Sequence, residues 1–179
     1  MVSASGRYVI VFNGEIYNFQ ELREHLCREG HVFRTGTDTE VLLTLYETMG
    51  PECLGLLNGM FAIAVWDKTA SSLFLARDRL GKKPLYFYHN AGHFAFASEI
   101  KALLPLPFLN TELRHDAIKD FFAYQYVPDP KTIYRNIYKL PPGHWLETDG
   151  VKVQQAQYWD LAFDNPSSRS ADSLAEELY

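Results

Sequence analysis

Apolar and polar positions follow two different periods along the chain. Near its start the run Tyr8-Val9-Ile10-Val11-Phe12 has the length of a strand and stops at Asn13-Gly14. Helical spacing takes over next. Asn18 stands in an N-cap position with the acid Glu21 three residues on, and Phe19, Leu22 and Leu26 recur on one stripe until Gly30. A second capping box, Thr37-Asp38-Thr39-Glu40, opens a helix with Leu42, Leu45, Tyr46 and Met49 on its apolar face, and Gly50-Pro51 stops it.

From residue 59 the period shortens. Residues 60–66, 73–76, 85–88 and 94–97 are short apolar runs with polar or glycine-containing links, the pattern of an antiparallel meander. They are apolar at successive positions, so both faces of the sheet must be covered. Ser98 is placed to cap a short helix over 99–104 that Pro105 ends. Another helix is predicted over 115–124, with Ile118, Phe121 and Phe122 on its apolar side, and a hairpin near 144–148 and 151–158. Beyond Trp159, Asp164-Asn165-Pro166-Ser167-Ser168-Arg169-Ser170 reads as a linker, and Ala171, Leu174, Ala175 and Leu178 as the opening of a further helix.

Composition narrows the class. A length of 179 residues corresponds to one domain with room for a substantial core, and 47% apolar content with 22% charged residues describes a folded chain rather than a disordered one. A net charge of −5 argues against nucleic acid and against a polybasic membrane patch. The longest apolar run, 60–66, is far short of a membrane span. Cys27 and Cys53 lack CxxC spacing, which suits a reducing, cytoplasmic setting. Cys27 lies beside Leu26 on a helical stripe and is expected to be a buried structural thiol.

The chemistry-bearing residues are few. Asn13-Gly14 places an amide side chain and an unencumbered backbone N–H at a strand's end, the two donors that an oxyanion hole needs. The same dipeptide is also the commonest hairpin turn. Asp38 falls in the first turn of its helix, where a carboxylate favours the dipole even without a ligand. Gly81-Lys82 suggests a phosphate loop, but Ala76 stands where its first glycine belongs, Lys83 follows, and strands flank the segment. The stretch 77–84 is therefore read as a structural hairpin connection that could border a site. His25, His31 and His144 have no ligand spacing, and no metal site is expected.

Several ordered strings carry more than any one residue: 11–18 (Val-Phe-Asn-Gly-Glu-Ile-Tyr-Asn), 33–40, 57–62, 76–86 and 140–144. Together, over roughly residues 1–160, they resemble the glutaminase domain of the glutamine-hydrolysing asparagine synthetases. These are class II glutamine amidotransferases of the N-terminal-nucleophile hydrolase superfamily. The resemblance implies an α+β fold, an incomplete four-layer αββα sandwich with mainly antiparallel sheets. It also implies that Asn13 and Gly14 form the oxyanion hole, that Glu15 continues the binding strip, by its backbone as one route, and that Asp38 holds the α-amino group of glutamine.

Members of that family begin with a cysteine nucleophile and carry an Arg-rich substrate segment some tens of residues later, whereas this chain begins Met1-Val2-Ser3. The expectation is a glutaminase domain over 1–160 lacking its first part and inactive alone, with 161–179 as linker and start of a missing synthetase domain. No cofactor is expected in this chain; ATP and Mg belong to the synthetase domain. Expected partners are glutamine and that domain, with a homodimer of the parent compatible with the resemblance, and no nucleic acid or membrane. Two alternatives stand beside it: a non-catalytic glutamine-binding or interaction module, and the glutaminase part of a related amidotransferase with another acceptor. Loss of the first strands would leave the 8–12 strand without neighbours and apolar faces exposed.

Overall fold

A computed structural model describes residues 1–163 and 169–177. The strands are β1 Tyr8–Ile16, β2 Gly59–Asp67, β3 Ser72–Arg77, β4 Tyr86–Asn90, β5 His93–Ala97, β6 Ile137–Lys139, β7 His144–Thr148 and β8 Val153–Gln157. The helices are α1 Phe19–Arg28, α2 Asp38–Met49, α3 Ile100–Leu103, α4 His115–Tyr124 and α5 Ala171–Glu177, with a 3₁₀ helix over Gly50–Leu56. The strands form two antiparallel sheets, ordered β1-β2-β3-β7-β8 and β5-β4-β6.

Side-chain alternation along the strands builds the layers. On β2, Phe61, Ile63 and Val65 pack with Leu22 and Leu26 of α1 and with Val41, Leu42 and Leu45 of α2. The intervening Ala62 and Ala64 turn to the other face and meet Leu85 and Phe87 of the second sheet's side. The three-stranded sheet alternates likewise. Phe87, Phe94 and Phe96 face the first sheet, while Tyr88 and Ile137 pack outward with Leu103 of α3 and Leu106. The order is helices, sheet, sheet, helix and loops, the αββα arrangement in the α+β class. Each fully buried large side chain in these layers contributes roughly 1.5–3 kcal/mol relative to exposure.

Several expectations are corrected. The four strands do not form one meander: β2 and β3 stay in the first sheet, whereas β4 and β5 belong to the second. The link between them, 77–85, crosses the sandwich because buried Asp78 gathers it. Its carboxylate accepts the backbone N–H groups of Phe61, Leu80, Lys82 and Lys83 at 2.9–3.2 Å. Arg77 donates to the carbonyls of Lys83, Gly81 and Leu140, all at 2.8 Å, and reaches Asp129 at 3.1 Å. Structural duty thus accounts for these two residues.

β1 is not without neighbours either. It pairs with β2 over its whole length, from Tyr8 against Asp67 to Ile16 against Gly59, and Val2 bridges to Val9 on its other side. Exposed apolar surface is present, with Val11 63% exposed on β1. Asn18 does not cap α1 with its side chain; that amide donates to Leu56 O and accepts from Asn58 N instead, both at 3.0 Å. Cys27 is exposed, since one residue past Leu26 a helix has turned about 100° off the stripe. Met49 is exposed, as are Phe121 and Phe122 (75%) of α4, a helix that buries only Ala117. Helix α5 begins at Ala171; of the linker reading, residues 164–168 lie outside the described residues, as does Leu178. Among the described residues, no helix is long and apolar enough to cross a membrane.

Candidate functional site

Asn13-Gly14 is neither a turn nor a strand end. β1 runs through it in unbroken register, Asn13 opposite Ala62, Gly14 opposite Phe61 and Glu15 opposite Met60. What permits this is glycine on both strands. A Cβ on Gly14 would fall 2.1 Å from Met60 O, and one on Gly59 2.3 Å from Glu15 O. The two strands approach more closely here than side chains would allow.

The hydrogen-bond parity of β1 decides which groups are free. Odd-numbered residues bond toward β2, as Lys68 N to Arg7 O (3.1 Å) and Tyr17 N to Asn58 O (2.7 Å) show at its two ends. Even-numbered residues therefore face the opposite edge. There, Ile10 N donates to Met1 O at 2.9 Å and Ile16 N donates to Asp38 Oδ2 at 3.1 Å. Between these points the N–H groups of Phe12 and Gly14 point out of the open edge. Gly14 supplies its N–H because it lies at an edge, not because the strand ends.

Asp38 reaches this edge from the first position of α2. Thr37 caps the helix by accepting Glu40 N at 3.4 Å. Glu40 does not close the box on Thr37. It accepts Arg34 N (2.8 Å), Thr35 N (2.6 Å) and the Thr35 hydroxyl (2.6 Å), which ties down the loop leading into α2. Desolvation opposes ionisation of the Glu40 carboxyl, but these donors outweigh it and hold its pKa below the usual value. Asp38 Oδ1 accepts the Thr39 hydroxyl at 3.3 Å, and the half-buried carboxylate keeps lone pairs for a cation.

Side-chain alternation puts Asn13 and Glu15 on the face opposite Ile16. Asn13 Nδ2 donates to Ser98 Oγ at 3.1 Å, and both residues line a cavity of about 210 Å³ between the sheets. The backbone of Glu15 is directed at β2, which leaves its exposed side chain for any ligand at the edge. Asn13, Gly14, Glu15 and Asp38 are thus gathered at the C-terminal half of β1, with donors on one side and a carboxylate two to three residues along. Such an arrangement can polarise a carbonyl oxygen and hold an ammonium group in the same ligand.

Other residues fall outside this cluster. Cys53 is buried in the 3₁₀ helix, and burial pushes its thiol up to about 12, so it is not a nucleophile. His144 Nδ1 lies 2.8 Å from Pro142 O, and exposed His25 pairs with Glu29. Arg79, Leu80 and Lys82 line a separate cavity of about 420 Å³ with Tyr17, Asn58 and Trp159. Among the described residues no three His, Cys, Asp or Glu side chains come together as metal ligands. Sequence reasoning missed two features: the open edge, which only strand order reveals, and Ser98, read as a helix cap.

Residues 1–159 match the family model of the glutamine amidotransferase domain. Asparagine synthetase 1 (glutamine-hydrolyzing) of Bacillus subtilis strain 168 is 42% identical over 173 residues, covering 96% of this chain and 27% of its own length. Asparagine synthetase B (glutamine-hydrolyzing) of Escherichia coli K12 is 39% identical over 146 residues, 81% of this chain and 24% of its own. The chain spans about a quarter of the length of these two relatives. The allosteric regulatory enzyme of purine biosynthesis superimposes with a TM-score of 0.61 at 21% identity, over 85% of this chain and 28% of that one. A glutamine aminotransferase class-II domain protein from Silicibacter pomeroyi gives 0.52 at 18% identity, over 88% and 71%. At such identities the structural likeness concerns fold alone.

Proposed function

Since the chain belongs to the glutamine amidotransferase domain family, we propose that it is the glutaminase portion of an asparagine synthetase, with its glutamine site at the open edge of β1. The observation that carries this reading is the Ile16 N to Asp38 Oδ2 bond of 3.1 Å, which sets a carboxylate on the same edge as the Gly14 N–H. Asp38 holds the α-ammonium of glutamine. The side-chain amide carbonyl then lies toward Gly14 N–H and Asn13 Nδ2, and Glu15 borders the ligand. When a thiolate attacks that carbonyl, negative charge moves onto its oxygen, and each of the two donors is worth about 10²- to 10³-fold in rate.

The nucleophile of this reaction is a cysteine at the chain start, and these 179 residues hold only Cys27 and Cys53. Neither thiol lies at the edge of β1, so these residues supply the binding site and the oxyanion donors but not the nucleophile. In the parent, the released ammonia serves the ATP-dependent amidation of aspartate to asparagine. Residues 161–179 lead toward the synthetase domain, where ATP and Mg act, and the setting is cytoplasmic.

Calorimetry with L-glutamine tests the site. Saturable binding is expected, and Asp38→Asn should weaken it about 10- to 100-fold, the worth of a charge-assisted hydrogen bond. Absence of saturable heat with a folded chain would overturn the site assignment. Ammonia release by these 179 residues that Asn13→Ala abolishes would overturn the assignment of the nucleophile outside them.

A further inference from the structure

Ser98 follows β5 directly and precedes the four-residue α3. A serine there would ordinarily cap the helix. Here the capping position falls to Glu99, which makes no side-chain cap bond, and the Ser98 hydroxyl accepts from Asn13 Nδ2 at 3.1 Å. That bond joins the two sheets across 85 residues of sequence. The walls of the cavity at which it stands are apolar, among them Val11, Ala62, Ala64, Leu85 and Phe96.

An asparagine amide on a strand has a broad terminal torsion and few steric guides to its plane. Asn13 is open to solvent on one side, and among the described residues the Ser98 hydroxyl is the protein group that bonds its side-chain amide, so the hydroxyl sets where the amide lies. One Nδ2 proton is committed to Ser98, and the second remains available, since Nδ2 carries two donors. A donor preset in this way needs no reorganisation when charge develops on a nearby oxygen.

We propose that Ser98 is a positioning residue, which holds the Asn13 amide in place for an oxyanion. The inference rests on the glutamine reading of Asn13 and deepens it, because Ser98 acts through Asn13 and need not touch the ligand. It predicts that the hydroxyl, not the size of residue 98, carries the effect.

Nuclear magnetic resonance of the ¹⁵N-labelled chain tests this, with Ser98→Ala and Ser98→Thr compared and backbone amide spectra reporting that each is folded. Proton exchange at the Asn13 side-chain amide should quicken about fivefold in Ser98→Ala, the loss of one ordinary hydrogen bond, and return toward the parent value in Ser98→Thr. L-Glutamine affinity should fall about fivefold in Ser98→Ala and recover in Ser98→Thr. Unchanged Asn13 exchange in a folded Ser98→Ala chain, or a threonine variant that behaves like alanine, would overturn the proposal. If the parent chain shows no glutamine-dependent shift at Asn13, the glutamine reading falls, and the meaning of Ser98 for an oxyanion with it. The exchange data would then judge the Asn13–Ser98 coupling alone.

Discussion

Gly14→Ala is the substitution in which fold and site meet. The added methyl would lie 2.1 Å from Met60 O and 2.8 Å from Phe61 Cα, both backbone atoms that cannot rotate aside. Relief requires β1 to move off β2 by more than an ångström, beyond which a ladder N–H···O=C contact is no longer a hydrogen bond. The flanking pairs Asn13–Ala62 and Glu15–Met60 are the ones opened. Losing about two of the ladder bonds in these pairs at about 1 kcal/mol each, with about 1–3 kcal/mol for overpacking, gives a destabilisation of about 3–5 kcal/mol. Urea unfolding with an unchanged slope should report it as a lower midpoint. Gly59→Ala should cost a similar amount, because its methyl would strike Glu15 O at 2.3 Å. The double variant should fall short of the sum, since both open one gap. Gly36→Ala is the control: a methyl there meets nothing within 4 Å, and its effect should stay within about 0.5 kcal/mol. A Gly14→Ala chain within about 0.5 kcal/mol of the parent would refute the close-approach argument.

Three further outcomes follow from the same geometry. Asp78→Ala should cost about 4 kcal/mol in the same urea assay, because four backbone N–H donors lose a buried acceptor. A thiol-reactive disulfide reagent at pH 8 should label Cys27 in the folded chain and Cys53 only after denaturation, since burial raises the Cys53 thiol to about 12. Asp67 is held at about 2 by the Arg7 guanidinium, with Nε at 2.9 Å, and by Thr69 and Ala70 N–H. Its folded value lies below the unfolded one, so its stabilisation is present above about pH 4 and is lost as pH falls toward 2. The stability advantage of the parent over Asp67→Asn, measured against pH, should vanish across that window; an advantage that persists at pH 2 would contradict the assignment.

Local signals in the sequence were strong where one residue pattern decides the element. The range 115–124 matches α4, and the capping box at Thr37 places Asp38 at the start of α2. Apolar runs located β2 to β5 within a residue or two. What local pattern could not carry was the choice of partner. The four runs look alike, yet β4 and β5 leave the first sheet because Asp78 and Arg77 fold the intervening link across the sandwich. Asn13-Gly14 carries a turn signal, and tertiary pairing overrides it, since Gly59 on the facing strand makes room. Cys27 was misjudged by a single step of helical rotation. Phe121 and Phe122 show the opposite case, an apolar helix face that no other described element covers. That Asn13, Gly14, Glu15 and Asp38 come together depends on β1 lying at a sheet edge, which only strand order shows.

The most direct test is a titration of the ¹⁵N-labelled chain with L-glutamine, following backbone amides along β1. The account predicts that Gly14 and Ile16, whose N–H groups face the open edge beside Asp38, shift together and saturate, that Val9 and Val11, directed at β2, shift little, and that Asp38→Asn suppresses the response. Shifts confined to other surfaces, or none at Gly14 and Ile16 at saturating glutamine, would contradict a glutamine site at this edge.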